Sequence, residues 1–309
     1  MSKNDHHGDI AALQAEIARL IALLESNGIE WRQKPQLNTP DSAPEPSPLS
    51  TDEKIALFRR LFRGRDDVYP VRWESRTTGK SGYTPPCLND RRFGICEKPR
   101  IKCADCKHRS LKSLSDQVIY GHLAGTHTVG VYPLLNDDTC HFLAVDFDEA
   151  DWQEDVRAFA LSCQELGVPV AIEISRSGKG AHAWIFFSKN VAAREARRLG
   201  TALISHTCSR TRQLKLASYD RLFPNQDAMP KGGFGNLIAL PLQKMPRENG
   251  HSVFVDPHLQ PYPDQWAYLA SIRPMAETDI EPTICRATGG THPLDVTFID
   301  NEDLSTPWK

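Results

Sequence analysis

The sequence predicts an α+β fold, because strand and helix patterns alternate through its central part and a cysteine cluster precedes them. Between residues 128 and 243, apolar stretches of strand length are separated by two stretches with helical spacing, in the order β-α-β-β-α-β. That order defines the split βαβ, or ferredoxin-like, arrangement. Before it, a helical segment at 51–62 and four clustered cysteines predict an N-terminal α/β part of the same domain.

Around this core the chain divides into segments of different composition. Residues 1–34 hold a predicted helix with apolar a/d positions over two heptads, which suits either a short packed helix or a dimerisation helix. Residues 35–50 are rich in Pro and Ser and predict a flexible linker. A compact domain is predicted over 51–276, and the polar residues 277–309 predict a C-terminal tail.

The elements of the core follow from periodicity and from start and stop signals. Strands are predicted at 129–135, 142–148, 168–175, 182–187 and 236–242, and helices at 151–166 and 191–207. The first of these helices begins with Asp151 and Glu154 at capping-box spacing, and Gly167 is its predicted stop.

Bulk properties exclude several classes of protein. No apolar run approaches the roughly 20 residues that span a bilayer, and the N-terminus lacks the pattern of a signal peptide, which predicts a cytoplasmic protein without a membrane partner. The net charge of −2 gives no global basic signature, so any nucleic-acid binding must come from local patches.

Two acidic residues end the second predicted strand. Asp146 and Asp148 are two positions apart, so their side chains leave the same face of the sheet. Two carboxylates this close repel each other unless a cation lies between them, and they suit hard divalent metals. A lone D-x-D on a strand is more often a solvated edge, so the pair needs support from its neighbours.

That support comes from the predicted strand at 182–187 and the turn before it. In a split βαβ fold the first and third strands are neighbours, which brings His182 close to the acids. The preceding turn contains Arg176, Ser177 and Lys179 among glycines, and therefore offers backbone N–H groups and cations to a phosphate. Taken alone, the turn could be an ordinary hairpin connection and His182 a structural histidine. Their occurrence together beside the acid pair favours a functional site.

These motifs resemble those of a known superfamily. DFD at 146–148 and SRSGKGAH at 175–182 are similar to the first two motifs of the archaeo-eukaryotic primases. SYDRLFPNQDAMPKGGFGNLIALPLQ at 218–243 resembles the primase-polymerase domain of the TOTE conflict systems. The resemblance spans about 55–275 and implies a split βαβ (RRM-like) catalytic core.

The resemblance also implies roles for particular residues. Asp146 and Asp148 match the acids that bind two divalent metals, Mg²⁺ or Mn²⁺, and His182 matches the histidine on the phosphates of the incoming nucleotide. Ser177 and Lys179 match phosphate-side neighbours of that histidine, and Arg176 adjoins them. Gly180 stands where many members have Ser. The third acid is expected to be Asp220, with Asp227 and then Asp256 as less favoured positions.

The activity implied is that of a metal-dependent primase-polymerase, a nucleotidyltransferase. It would make or extend a strand on a single-stranded DNA template, with a primer and nucleoside triphosphates as partners. The resemblance also implies a helicase or nuclease partner, here in a separate chain. Two other classes stay open: a nucleic-acid-binding module that no longer catalyses, and a metal-dependent nuclease. A triphosphate-holding turn is useful to a polymerase and superfluous to a hydrolase, which disfavours the nuclease.

Four cysteines between residues 87 and 106 predict a structural zinc site. Cys87, Cys96, Cys103 and Cys106 have the spacing C-x8-C-x6-C-x2-C, whose closing pair suits a zinc knuckle, and His108 is a possible substitute ligand. Basic residues surround the cluster and suit either the phosphates of a template or plain solvation.

A second basic stretch, FRRLFRGRDDVYPVRW at 58–73, interleaves arginines with aromatic residues. This pattern is typical of single-strand nucleic-acid contacts and also of a helix with a solvated basic face.

Overall fold

The structure is a computed structural model that describes residues 48–148, 150–211 and 218–289, together with the single residues 19 and 26. The chain separates into two compact units, 1–45 and 46–309. The predicted N-terminal helix and most of the predicted linker lie outside the described residues. Among the described helices none is long and apolar enough to cross a membrane.

The second unit contains the described helices and strands. The helices are α1 (Thr51–Leu61), α2 (Asp116–Ala124), α3 (Trp152–Glu165), α4 (Ala193–Thr211), α5 (Lys244–Glu248), α6 (Gln265–Ser271) and α7 (Ile280–Ala287), with 3-10 turns at Cys103–Asp105 and Glu277–Asp279. The strands are β1 (Val71–Glu74), β2 (Ser81–Thr84), β3 (Gly130–Val131), β4 (Thr139–Asp148), β5 (Ala171–Ile174), β6 (Gly180–Ala192), β7 (Tyr219–Phe223), β8 (Ile238–Ala239) and β9 (Val253–Val255).

A five-stranded antiparallel sheet holds the core together. Its strand order is β7-β4-β6-β5-β9, so β4 and β6 are central neighbours and β7 lies on the other side of β4. β1 pairs with β2, and β3 pairs with β8, in two smaller sheets. The chain order β4-α3-β5-β6-α4-β7 has the sequence of element types that the periodicity predicts.

The last strand of that order differs from the prediction. The apolar stretch 236–242 was expected to complete the sheet, but within it only Ile238–Ala239 is a strand, and it pairs with β3. The place beside β4 belongs to β7, where Leu222 and Phe223 are buried opposite Val145 and Ala144. Continuous apolarity marks a buried segment but does not say which neighbour the segment pairs with.

Opposite faces of the sheet are covered by different helices. On one face, Phe147 of β4 contacts Phe159 of α3 with ring centroids 5.5 Å apart. On the other face, Phe62, directly after α1, packs edge-on against Trp184 of β6 at 5.0 Å. Phe142 also contacts Trp184, at 5.1 Å. Since Asp146 has the same strand parity as Phe142, the acids share the face that α1 covers.

Two local expectations also fail. Asp151 does not cap α3 with its side chain; its φ is +67°, and the N–H of Glu154 bonds to its backbone oxygen at 3.0 Å. The predicted tail from 277 begins with a 3-10 turn and α7, whose Ile280 and Ile284 are buried. The hydrophobic positions of α7 are too few for periodicity alone to reveal the helix.

Candidate active site

The acid pair lies at the end of β4, beside the start of β6. The strand register pairs Asp146 with His182 and Asp148 with Gly180. The side chain of Asp146 is partly buried, and Asp148 is exposed. The antiparallel pairing of β4 with β6 thus brings the two acids and the predicted histidine together.

His182 links the acid pair to a buried carboxylate. Its Nε2 lies 3.5 Å from Oδ1 of Asp146, and its Nδ1 hydrogen-bonds Oε2 of Glu173 at 2.7 Å. Burial acts to lower the pKa of His182, but the charge and hydrogen bond of Glu173, with smaller effects of Asp146 and Asp148, raise it to about 9. His182 is therefore an imidazolium at neutral pH, and Glu173 fixes the orientation of its ring.

Glu173 is a site residue that the sequence analysis missed. It lies on β5 opposite His182, is almost fully buried, and also accepts a hydrogen bond from Nε1 of Trp184 at 3.2 Å. The available signal was a single acidic residue inside the apolar stretch VAIEIS, since buried carboxylates are rare unless they are paired.

Asp220 reaches the site through a bulge in β7. The register pairs Val145 with Leu222 and Phe147 with Tyr219, so Asp220 and Arg221 together oppose Asp146. A β-bulge redirects the side chains of the bulged strand and is common beside active sites. In this structure the Asp220 carboxylate accepts a hydrogen bond from Nε of Arg221 at 2.7 Å.

The charges of the three acids act on one another. Burial raises the pKa of Asp146, and Asp220 and Asp148 raise it further against the opposing effects of His182 and Arg221. This mutual repulsion is the signature of a carboxylate cluster that a cation would stabilise.

The two less favoured third acids are engaged elsewhere. Asp227 forms an ion pair with Arg197 of α4 at 2.5 Å. Asp256 accepts hydrogen bonds from the backbone N–H groups of His258 and Gln260 in its own turn, at 2.8 and 2.9 Å.

A buried aspartate on α3 fastens the strands that carry the acids. Asp155 accepts hydrogen bonds from the N–H and the hydroxyl of Ser218 at 2.9 and 2.8 Å. The backbone oxygen of Ser218 in turn accepts from the N–H of Asp148 at 2.7 Å. Asp155 therefore holds the start of β7 against the end of β4, where Asp220 and Asp148 lie.

The predicted phosphate turn closes between β5 and β6. Its ends are joined by a hydrogen bond from the N–H of Ser175 to the oxygen of Gly180 at 2.9 Å, and Ser177 accepts from the N–H of Lys179 at 3.1 Å. The ammonium group of Lys179 is exposed and has no partner among the described residues. His251 packs against the turn, since a Cβ on Gly178 would lie 2.3 Å from its Nε2.

Gly180 is required by its surroundings. A Cβ at this position would lie 2.4 Å from the backbone oxygen of Phe147 and 3.1 Å from Oδ1 of Asp148. The close approach of β6 to the second acid therefore excludes the Ser that many primases have here.

The β1–β2 hairpin lies beside this turn. Glu74 of β1 pairs with Arg176 of the turn, Nη2 to Oε1, at 3.5 Å, and also with Arg72. Burial raises the pKa of Tyr83, and the charges of Arg72 and Arg176 act against this rise. The Tyr83 hydroxyl therefore lies close to both guanidinium groups. Arg176 is thus tied to the hairpin, unlike Lys179.

The four predicted zinc ligands line one small cavity. It has a volume of about 20 Å³, and Cys87, Cys96, Cys103 and Cys106 all border it. The sulfur of Cys87 accepts from the N–H groups of Asn89 and Ser110 at 3.4 and 3.3 Å. None of the four forms a disulfide. Thiolates are donors that zinc uses. In the described part of the chain, however, no group of three or more His, Cys, Asp or Glu is arranged to hold a metal, and this applies to these cysteines and to the three acids alike.

Comparison with known proteins identifies the class to which this fold and site belong. Residues 53–283 match the family described as the archaeo-eukaryotic primase domain of the TOTE conflict system. Since the match covers most of the chain, the protein belongs to this family, which confirms the resemblance of its motifs.

Other comparisons are more distant. No curated protein matches the chain. Among solved structures it is similar to the polymerase domain of Mycobacterium tuberculosis ligase D in complex with DNA, with a TM-score of 0.35 and 11% identity over 78% of this chain and 90% of that one.

Proposed function

We propose that this protein is a metal-dependent primase-polymerase, a nucleotidyltransferase that makes or extends a strand on a single-stranded template from nucleoside triphosphates. The observation that carries the proposal is the convergence of Asp146, Asp148 and Asp220 with His182 and the turn of Lys179 at one end of the sheet. We further propose that the core is of the RRM-like split βαβ type.

The carboxylates fit the divalent ions that such a reaction uses. Mg²⁺ is usually held by one or two carboxylates together with substrate phosphates, so Asp146 and Asp148 suffice as its protein ligands before the nucleotide arrives. Asp220 would join them by exchanging its bond to Arg221. Bound Mg²⁺ or Mn²⁺ would supply activation of the 3′-hydroxyl and stabilisation of the leaving pyrophosphate.

The other residues of the site position the nucleotide. His182, as a cation held by Glu173, and the ammonium of Lys179, which has no partner in the described ranges, would attract the triphosphate to the turn. Ser177 would contribute a hydroxyl and Arg176 would buttress the turn through Glu74. Catalysis on this scheme is positioning and electrostatic stabilisation, as in other phosphoryl transfers.

The cysteine cluster completes the proposal as a structural zinc site. Lys98 would offset thiolate charge there: its pKa is raised mainly by a hydrogen bond to Asp90, against partial burial, and also by Cys103. A site closed by four thiolates leaves no open position, so we assign it no catalytic role.

The test is nucleotide incorporation with labelled dNTPs and NTPs on a single-stranded template, with and without a primer, in Mg²⁺ or Mn²⁺. We expect product from the wild type and none from Asp146→Asn/Asp148→Asn. The control Asp52→Asn/Asp279→Asn removes two exposed acids outside the site and should remain active. Wild-type protein that binds single strands but makes no product would favour a binding module over an enzyme.

A further inference from the structure

A cleft of about 1300 Å³ opens at the end of the sheet opposite the acids. It is bordered by α1 and the residues after it, by the start of β4 at His141, and by residues 186–190 of β6. From His141, which borders the cleft, to Asp146 and Asp148 the strand takes five to seven steps, which corresponds to roughly 17–23 Å. The cleft is therefore a place distinct from the proposed catalytic site.

Three exposed cations line this cleft. Arg60, Arg63 and Lys189 are exposed, and none forms a hydrogen bond or ion pair within the described part of the chain. Two other arginines of the cleft differ, because Arg59 is bonded to Asp116 at 2.6 Å and Arg65 to Asp67 at 2.5 Å. Among the basic residues of the lining, two arginines are therefore paired within the fold and three cations are not. The lining also includes the carboxylates of Asp66, Asp67 and Asp137.

A buried histidine adds an unsatisfied polar atom to the same cleft. His141 is 8% exposed, and its Nε2 is buried with no hydrogen-bond partner among the residues that the structure describes. The register pairs Cys140 with Val191 and Phe142 with Phe186, so β6 bulges opposite His141 and carries Lys189 there. Burial, with the nearby charge of Arg63, lowers the pKa of His141 to about 4, so the ring is neutral and offers an N–H or an acceptor.

We propose that this cleft binds the phosphodiester backbone of single-stranded nucleic acid, through Arg60, Arg63 and Lys189. The volume exceeds the roughly 300–1,000 Å³ of pockets for small ligands, which favours an oligonucleotide over a single nucleotide. Unpaired guanidinium and ammonium groups are the chemistry that phosphates require. The inference rests on the proposed function, because it makes the bound strand the distal part of the template.

The separation of the two sites sets a length requirement. A strand with the roughly 3.4 Å rise per nucleotide of a stacked helix needs about five to seven nucleotides to span roughly 17–23 Å. Templates with a shorter single-stranded overhang reach only the acids, and longer ones reach both sites.

The experiment compares the affinity for primed templates with four-nucleotide and sixteen-nucleotide overhangs, by fluorescence anisotropy. The variant Arg63→Ala/Lys189→Ala is matched by Arg194→Ala/Lys244→Ala, which removes the same charge from exposed positions on α4 and α5. We expect the wild type and the control to bind the long overhang several-fold more tightly. The cleft variant should bind long and short overhangs with similar affinity. For the long overhang, the slope of the logarithm of the binding constant against the logarithm of salt concentration should decrease in magnitude by about 1.4, which corresponds to two lost phosphate contacts.

Binding and synthesis are read separately, so the two proposals fail in different ways. Arg63→Lys/Lys189→Arg, which keeps both charges, should retain the higher affinity for the long overhang. On the short overhang, all variants should synthesise at the wild-type rate. A cleft variant that retains the length-dependent gain, or a control that loses it equally, overturns the inference. Absence of synthesis by every protein, with the length-dependent binding intact, would instead count against the polymerase and leave the cleft standing.

Discussion

The ion pair between His182 and Glu173 has an effect on the free energy of unfolding that can be calculated from the structure. We consider Glu173→Gln, which keeps the shape of the side chain and removes its charge from a buried position. The change deprives the His182 imidazolium of its closest counter-charge, at 2.7 Å, and leaves burial to dominate. The pKa of His182 should then fall from about 9 toward or below its ordinary value of 6.5.

The magnitude follows from linkage. Because the folded-state pKa lies above 6.5, protonated His182 stabilises the fold fully below pH 6.5, and this stabilisation is lost as the pH rises through about 9. A shift from 6.5 to about 9 is worth about 3 kcal/mol at about 1.4 kcal/mol per pH unit. Glu173→Gln should therefore lower the free energy of unfolding by about 2–3 kcal/mol at pH 6, with a smaller difference above pH 9.

The assay is urea unfolding at pH 6 and pH 9.5, together with an NMR titration of the His182 ring. Glu154→Gln, which removes an exposed charge from α3, is the control and should change the unfolding free energy by less than about 0.5 kcal/mol. Equal stability of Glu173→Gln and wild type at pH 6, or a difference independent of pH, would refute the reasoning. In synthesis assays at pH 7.5, Glu173→Gln should raise the KM for nucleotide, since the proposed phosphate contact loses its charge.

Three further predictions concern the supports of the site. Gly180→Ala should cost about 1–3 kcal/mol in chemical denaturation, because its Cβ would lie 2.4 Å from the oxygen of Phe147; unchanged stability would show that β6 can move away. Asp155→Ala should cost about 2–4 kcal/mol, since it leaves the N–H and hydroxyl of Ser218 without an acceptor, and should reduce synthesis; the change Asp279→Ala at an exposed position is its comparison. Purified protein should contain about one zinc ion per chain by elemental analysis, and Cys103→Ser should lose it and melt at a lower temperature; metal-free wild type of equal stability would exclude the zinc site.

The acid pair and the phosphate turn could be found from the sequence because their signals are local. Asp146 and Asp148 share a face by the two-residue period of a strand, and the turn of Lys179 is marked by its glycines. The role of Glu173 could not be predicted in this way, since it depends on the register of β5 against β6. Asp220 was expected from the resemblance alone; its approach to Asp146 depends on a bulge that no local pattern encodes.

The segment 236–242 shows the limit of hydrophobic patterning most clearly. Its apolar side chains predicted burial, and Ile238, Leu240 and Leu242 are buried, but its partner is β3 and not β4. The shorter and more polar β7 takes the place beside the acids.

By itself, then, the sequence determined the family, the order of strand and helix types, and the residues that carry the proposed chemistry. These depend on side-chain identity and short-range spacing, which the chain states directly. The tertiary structure alone decided which strand borders the acids, which buried carboxylate charges His182, and which arginines of residues 58–73 are used by the fold. Those outcomes depend on register and on contacts between distant segments, and they are settled only when packing selects one pairing among several that the local pattern permits.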